Sequence, residues 1–120
     1  MPEPLFDEFS QVEGVERLVH EPARMVILTM LSACVEADFT FLQRATGLSQ
    51  GNLSQHLSKL EDAGLLTIQK DFVGKRPRTR AAITTEGREA IEAHWARLAR
   101  IRQTALQWRR TERDKGKEPK

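Results

Sequence analysis

The residues best suited to chemistry in this sequence recur on one side of a predicted helix near its middle. Leu53, Leu57 and Leu60 are spaced i, i+4 and i+7, which is typical of the buried side of an α-helix. The other side then presents small, hydroxyl, amide and basic side chains, namely Gln50, Gly51, Asn52, Ser54, Gln55, Ser58 and Lys59. Amides can pair with adenine edges, and lysine can reach guanine or phosphate, so this surface suits a major groove. The alternative is an ordinary solvated helix face.

Four side chains on or near this helix could serve either the fold or a contact with DNA. Ser49 precedes the helix and can cap it, and a helix N-terminus also favours phosphate. His56 lies at the edge of the leucine stripe, where we expect packing or a phosphate contact rather than base reading. Lys59 either bonds a phosphate or pairs with Asp62. Arg44, in the preceding helix, either contacts the DNA backbone or is solvated.

A second basic group follows closely along the chain. Its members fall within six residues and are Lys75, Arg76, Arg78 and Arg80. Gly74 and Pro77 are turn residues, and apolar residues alternate on both sides, so we predict two strands joined by a basic loop over 74–78. Such a wing can contact phosphates or enter a narrow minor groove. A hairpin tip that is merely solvated is the alternative.

Positioning these groups requires a mainly α fold with a small antiparallel β-wing. The predicted order is helix, helix, short strand, helix, helix, strand, wing, strand, helix. Pro22 suits the first residue of the second helix, and Gly47 suits the tight turn of a helix-turn-helix unit. Thr40 and Gln43 have capping-box spacing at the start of the third helix. Thr84 can cap the last helix, which we expect to span about 85–108.

The last helix predicts a homodimer. Its apolar residues recur at spacings of three and four and outrun what a small winged domain can cover. The predicted interface comprises Leu18, Ile91, Trp95, Leu98, Ile101, Ala105 and Trp108. Packing of this helix on its own domain alone is the other interpretation. A two-fold dimer predicts an inverted-repeat DNA site with half-sites about one helical turn apart.

Charge is distributed unevenly along the chain, and three segments are predicted. The net charge is +2, but residues 1–21 hold six acids and one arginine, so the remainder is about +7 by subtraction. We expect 1–9 to be a flexible acidic N-terminus, 10–108 to form the winged domain with its dimerisation helix, and 109–120 to be a flexible basic tail. A local basic patch attracts polyanions more strongly than the whole-chain charge suggests.

Several other classes of protein are not indicated. No apolar run approaches the roughly 20 residues of a membrane span, and no secretory signal is visible, so we expect a cytoplasmic protein. The single cysteine, Cys34, excludes an internal disulfide and suits a packing role. No metal-ligand spacing, phosphate-binding loop or catalytic constellation occurs, so we expect no metal, no cofactor and no enzymatic activity.

Several segments resemble winged helix-turn-helix regulators of the ArsR/MarR type, in particular the small single-domain bacterial and archaeal branch. The segments are HEPAR at 20–24, ATGLS at 45–49, NLSQHL at 52–57, LEDAGL at 60–65, GKRPRT at 74–79 and ITTEG at 83–87. Their order and spacing make the resemblance specific over roughly residues 16–90. It implies a recognition helix at 49–63, a wing tip at 74–80 and a dimer.

These observations predict a sequence-specific regulator that binds double-stranded DNA as a homodimer. A repressor role follows from analogy with the family alone. A winged-helix adaptor for protein or RNA is the rival hypothesis, and an apolar recognition face with an uncharged wing would mark it. A regulator that responds to a small-molecule effector is also compatible, with a dimer-interface cavity at Phe9, Trp95 and Leu98.

Overall fold

The computed structural model describes residues 14–117, and the side chains of residues 14–114. The helices are α1 Val15–Val19, α2 Pro22–Ser32, α3 Phe39–Thr46, α4 Gln50–Asp62 and α5 Thr85–Lys117, and the strands are β1 Ala37–Asp38, β2 Leu66–Val73 and β3 Arg76–Ile83. This order confirms the predicted mainly α fold with a small antiparallel wing. The predicted flexible segment at 1–9 lies outside the described residues.

The helices pack around one apolar core that a small sheet closes at one side. The sheet has the order β1-β3-β2, and both strand pairs are antiparallel. The buried residues of the apolar core are Val19, Ile27, Leu28, Leu31, Ala37, Leu42, Leu53, Leu57, Leu60, Leu65, Leu66, Ala81 and Ile91. Three leucines of α4 belong to this set, so the predicted leucine stripe is buried and fixes which side of α4 faces outward.

Local signals set the start of α4 and the turn before it. Gly47 has a φ of +71°, a left-handed conformation that suits glycine and ends α3. The Ser49 hydroxyl accepts a hydrogen bond from the Asn52 amide at 3.1 Å, which confirms the predicted cap. The cap predicted for α3 is wrong, because that helix begins at Phe39 and Thr40 lies inside it.

The start of α5 is locked to the end of α4. The Thr84 hydroxyl accepts a hydrogen bond from the Gly87 amide at 3.0 Å and donates one to the Gly64 carbonyl at 2.7 Å. Gly87 is buried so closely here that a Cβ atom on it would lie 1.9 Å from the Leu65 carbonyl oxygen. Only glycine therefore fits at this position, where the first turn of α5 meets the Leu65 backbone.

Helix α5 is longer than predicted. The spacing of its apolar residues predicts an end near Trp108, but the helix continues to Lys117, giving a rod of about 50 Å at about 1.5 Å per residue. Arginine, glutamate and lysine are good helix formers, so the polar run after Trp108 extends the helix although it has little apolar surface to bury. The predicted tail at 109–120 is thus helical as far as Lys117. None of the helices within 14–117 has the length and hydrophobicity of a membrane span.

Candidate nucleic-acid interface

The outward side of α4 forms an exposed polar ridge. We use the term reading ridge for its residues, all of which are exposed, namely Gln50, Gly51, Asn52, Ser54, Gln55, Ser58 and Lys59. Burial of Leu53, Leu57 and Leu60 on the other side forces this arrangement. The ridge carries hydrogen-bond donors and acceptors on a rigid helix, which is the arrangement that base-edge recognition needs.

His56 does not belong to this ridge. Only 20% of its side chain is exposed, and its Nδ1 accepts a hydrogen bond from the Arg24 Nε at 3.3 Å. The Glu21 carboxylate lies 3.7 Å from the same nitrogen. The structure therefore places His56 in a polar contact between α4 and the start of α2, which agrees with packing rather than base reading.

The wing differs from the prediction in its turn. Only Gly74 and Lys75 separate the two strands, and Gly74 has a φ of +64°. Arg78 and Arg80 were predicted in or beside a loop but lie within β3. Pro77 fits in that strand because β1 pairs only with residues 80 and 81, which leaves β3 without a partner on that side at position 77.

Strand pairing sorts the wing residues onto two faces. Lys70 opposite Thr79 and Phe72 opposite Pro77 continue the face that Ile68 directs toward the core. The other face carries Gln69, Asp71, Val73, Arg76, Arg78 and Arg80. The predicted wing cations are therefore not equivalent, because the strand directs some of them away from α4.

Asp71 neutralises much of the charge on that second face. Its carboxylate accepts hydrogen bonds from Arg78 at 3.2 and 3.3 Å and from Arg80 at 2.6 Å. Arg80 also donates to the Glu36 carboxylate at 2.6 Å. The hydrogen bond from Arg78 lowers the pKa of Asp71, and the bonds to Asp71 and Glu36 raise the pKa values of Arg78 and Arg80. The two arginines are thus matched by two carboxylates.

An Asp71→Asn substitution should therefore strengthen binding to duplex DNA. Removing the carboxylate leaves two arginines with one acidic partner, and the slope of log affinity against log salt should steepen by up to about one unit. Fluorescence anisotropy of a labelled duplex over a salt series measures both quantities. Glu92→Gln is the matched control, because Glu92 is exposed on α5 and its loss changes the net charge equally. Equal effects of the two substitutions would contradict a specific role for Asp71.

A cleft of about 300 Å³ separates α4 from the wing. It is lined by Phe39, Gln50, Ser54, Leu57, Ser58, Ile68, Lys70 and Thr79. The exposed Lys70 provides a positive charge on its wing side, facing the hydroxyl and amide groups of the reading ridge. Sequence reasoning missed Lys70, although it interrupts the apolar alternation of Leu66, Ile68 and Phe72. The signal in the sequence was a lysine at a position where the alternation predicts an apolar residue.

The beginning of the predicted dimer stripe belongs to the core of its own domain. Ile91 is only 1% exposed and packs within the apolar core, so its place in the predicted interface is wrong. His94 is also buried, with its Nε2 2.9 Å from the Met25 sulfur, and burial lowers its pKa. The three-four spacing of apolar residues continues along α5. It therefore does not distinguish this first part, which packs on its own domain, from the later part, which leaves apolar surface exposed.

Later residues of α5 leave apolar surface uncovered. Trp95 is 45% exposed, and its indole N–H donates to the Thr29 hydroxyl at 3.1 Å. Among the other predicted interface residues, Leu18, Leu98, Ile101 and Trp108 are half-buried and Ala105 is exposed. Leu106, which was not predicted, is 39% exposed. The predicted effector cavity includes Phe9, which lies outside the described residues.

The described residues contain no group of three histidine, cysteine, aspartate or glutamate side chains that could hold a metal ion. Cys34, expected to be buried, is half-buried.

A helix-turn-helix unit, an exposed second helix and a two-stranded wing beside it together define a winged helix-turn-helix protein. The surface between α4 and the wing is its candidate nucleic-acid interface.

Comparisons with known proteins agree with this class. The chain belongs to the winged helix DNA-binding domain family, whose model matches residues 23–102. That family consists of DNA-binding domains and not of enzymes. The HTH-type transcriptional regulator YgaV of Escherichia coli is 38% identical over 61 residues, covering 51% of this chain and 62% of YgaV. A protein of Methanocaldococcus jannaschii is 32% identical over 76 residues, covering 63% of this chain and 83% of that protein.

Solved structures show the same fold. A transcriptional regulator homologue from Pyrococcus horikoshii has a TM-score of 0.73 at 27% identity, over 84% of this chain and 96% of that one. The S. aureus MepR-DNA complex has a TM-score of 0.67 at 18% identity, over 93% of this chain and 90% of that one. The shared fold therefore takes in most of this chain.

Proposed function

We propose that this protein regulates transcription by binding a specific sequence of duplex DNA as a homodimer. The observation that carries the proposal is the reading ridge of α4, held outward beside a cleft with a cationic wall. Base pairs are read in the major groove by amide, hydroxyl and basic side chains, and this is the set that the ridge presents. The names of its relatives, among them a transcriptional regulator of Escherichia coli, support the same class of function.

In this mechanism α4 lies in the major groove, and the wing fixes its register. Asn52 and Gln55 lie in the N-terminal half of α4 on its outward side, where amides can contact base edges. Lys70 on the wall of the cleft and the exposed Lys75 and Arg76 near the turn then contact phosphates or the minor groove. Arg78 and Arg80 contribute less than their number suggests, because Asp71 and Glu36 already neutralise them.

Dimerisation would use the apolar surface that the domain leaves uncovered. Trp95 and Leu106 are partly exposed on α5, and covering large apolar side chains favours association. A two-fold dimer would bring two copies of α4 to successive turns of the same face of DNA. Binding at a promoter would then block access by polymerase, and the choice of a repressor over an activator rests on analogy with the family.

A winged-helix adaptor is the weaker candidate. It would use an apolar recognition face, whereas the outward residues of α4 are polar and Lys59 at its end is positively charged. The exposed cations of the wing also favour a polyanion over a protein surface. No described feature favours the adaptor specifically.

Selection of bound fragments from a random duplex library tests the proposal directly. The full chain should enrich an inverted repeat, and sedimentation of the complex should give two protomers on each selected duplex. Affinity for that duplex should fall steeply with salt, because several phosphate contacts release counterions. Failure to enrich any sequence would overturn sequence-specific binding. One protomer on a single half-site would overturn the dimer.

A further inference from the structure

An aromatic side chain of the wing is left uncovered on the side of the cleft. Phe72 is 70% exposed, although a phenylalanine has a large apolar surface that water solvates poorly. It lies directly opposite Pro77 in the strand pairing, so ring and proline form a small apolar patch. Because most of the Phe72 side chain remains exposed in the folded wing, it contributes little to the apolar core.

The strand register gives the direction of this patch. Lys70 and Thr79 line the cleft beside α4, and Phe72 and Pro77 form the next pair on the same face. At about 3.3 Å per residue, the patch lies about 7 Å further from the core than Lys70. It therefore projects on the same side as the reading ridge, beyond the cleft, where the wing would meet the groove next to that occupied by α4.

The charged residues near the patch indicate which kind of partner it contacts. Lys70 precedes Phe72 on the same face, and Lys75 lies in the adjoining turn. Arg76 begins β3 beside that turn, on the opposite face, and all three cations are exposed. An apolar ring with cations nearby is poorly suited to another apolar protein surface but matches DNA, whose sugars and base steps are lined by phosphates. Proteins that bind the minor groove use phenylalanine and proline as wedges between base steps.

We infer that Phe72 is an apolar wedge that presses on a base step in the minor groove, backed by Pro77. This inference rests on the proposed DNA binding and adds a specificity determinant to it. Pyrimidine–purine steps unstack most easily, so Phe72 would favour them in the DNA that flanks the bases contacted by α4. Preference at these flanking positions would come from the cost of deformation and not from hydrogen bonds.

Replacing Phe72 while leaving the charges unchanged tests the inference. Phe72→Ala should weaken binding to the selected duplex roughly tenfold, the scale of one lost base–aromatic contact, with an unchanged salt slope. Phe72→Trp should retain most of the affinity. Val73→Ala is the matched control, because Val73 is 55% exposed on the opposite face and its loss should leave binding unchanged. A 2-aminopurine at the flanking step should brighten with the parent protein and not with Phe72→Ala.

The outcomes distinguish this inference from the function on which it rests. If the parent selects a duplex and Phe72→Ala binds it as tightly as Val73→Ala does, the wedge is wrong and the proposed function stands. A lower salt slope in Phe72→Ala would also overturn the wedge, since it would show altered phosphate contacts. A change of oligomeric state on Phe72→Ala would instead assign the patch to a contact between copies. If the parent selects no duplex, the proposed function itself fails.

Discussion

A Gly87→Ala substitution is expected to destabilise the fold by about 3 kcal/mol, at the upper end of the usual cost of overpacking. The added Cβ atom would lie 1.9 Å from the Leu65 carbonyl oxygen and 2.9 Å from an Ile83 side-chain carbon. The Leu65 oxygen also accepts a hydrogen bond from the Thr84 amide at 3.1 Å, so it cannot move aside without breaking that contact. Urea denaturation followed by circular dichroism measures the change in the free energy of unfolding.

Gly51→Ala is the matched control for this prediction. Gly51 lies in α4 with no atom within 4 Å of an added Cβ, so alanine should stabilise the helix by up to about 1 kcal/mol. The same methyl group stands on the reading ridge, where it should weaken DNA binding while the fold is intact. If Gly87→Ala were as stable as the parent, the close approach of α5 to the end of α4 would be wrong.

Local signals in the sequence are sufficient to predict the elements that build the reading ridge. The leucine stripe of α4, the left-handed Gly47 and the Ser49 cap each depend on residues within one or two helical turns. Such signals act between near neighbours, and the chain has little freedom to override them. The outward face of α4 therefore follows from the amino-acid sequence alone.

The distribution of charge on the wing could not be derived in this way. Arg80 pairs with Glu36, which is 44 residues away in sequence, and both it and Arg78 pair with Asp71 across the hairpin. These contacts depend on the register between strands, and moving a strand by one residue would exchange its two faces. Counting cations between 75 and 80 therefore overstated the positive charge available to DNA.

The packing of α5 shows a different limit of sequence-based prediction. Ile91 and Leu98 share one three-four stripe, yet Ile91 is buried in its own domain whereas Leu98 is half-buried. The same spacing describes packing on a domain and packing on a partner, because both require one apolar helix face. The two kinds of packing are distinguished by how far along α5 the other helices of the domain reach. That depends on the tertiary structure and not on the local sequence.

Replacing two amides of the reading ridge, Asn52→Ala with Gln55→Ala, is expected to remove sequence recognition. A bidentate amide–adenine contact is worth about 1–3 kcal/mol, so losing two should lower affinity for the selected duplex by roughly 100-fold or more. Binding to duplex of random sequence should change little, because neither residue is charged and the wing cations remain. Neither side chain is part of the core, so the free energy of unfolding should also be nearly unchanged.

The ratio of affinities for selected and random duplex is therefore the quantity to measure, at one fixed salt concentration. Gln103→Ala is the matched control, since it removes an exposed amide of the same chemistry from α5, away from the ridge. It should leave the ratio unchanged. An equal loss on both duplexes in the double variant would assign Asn52 and Gln55 to backbone contacts, and base reading would then have to come from Ser54, Ser58 or Lys59. An unchanged ratio would show that α4 does not read the DNA through these amides, because side chains that contact base edges cannot be removed without reducing discrimination.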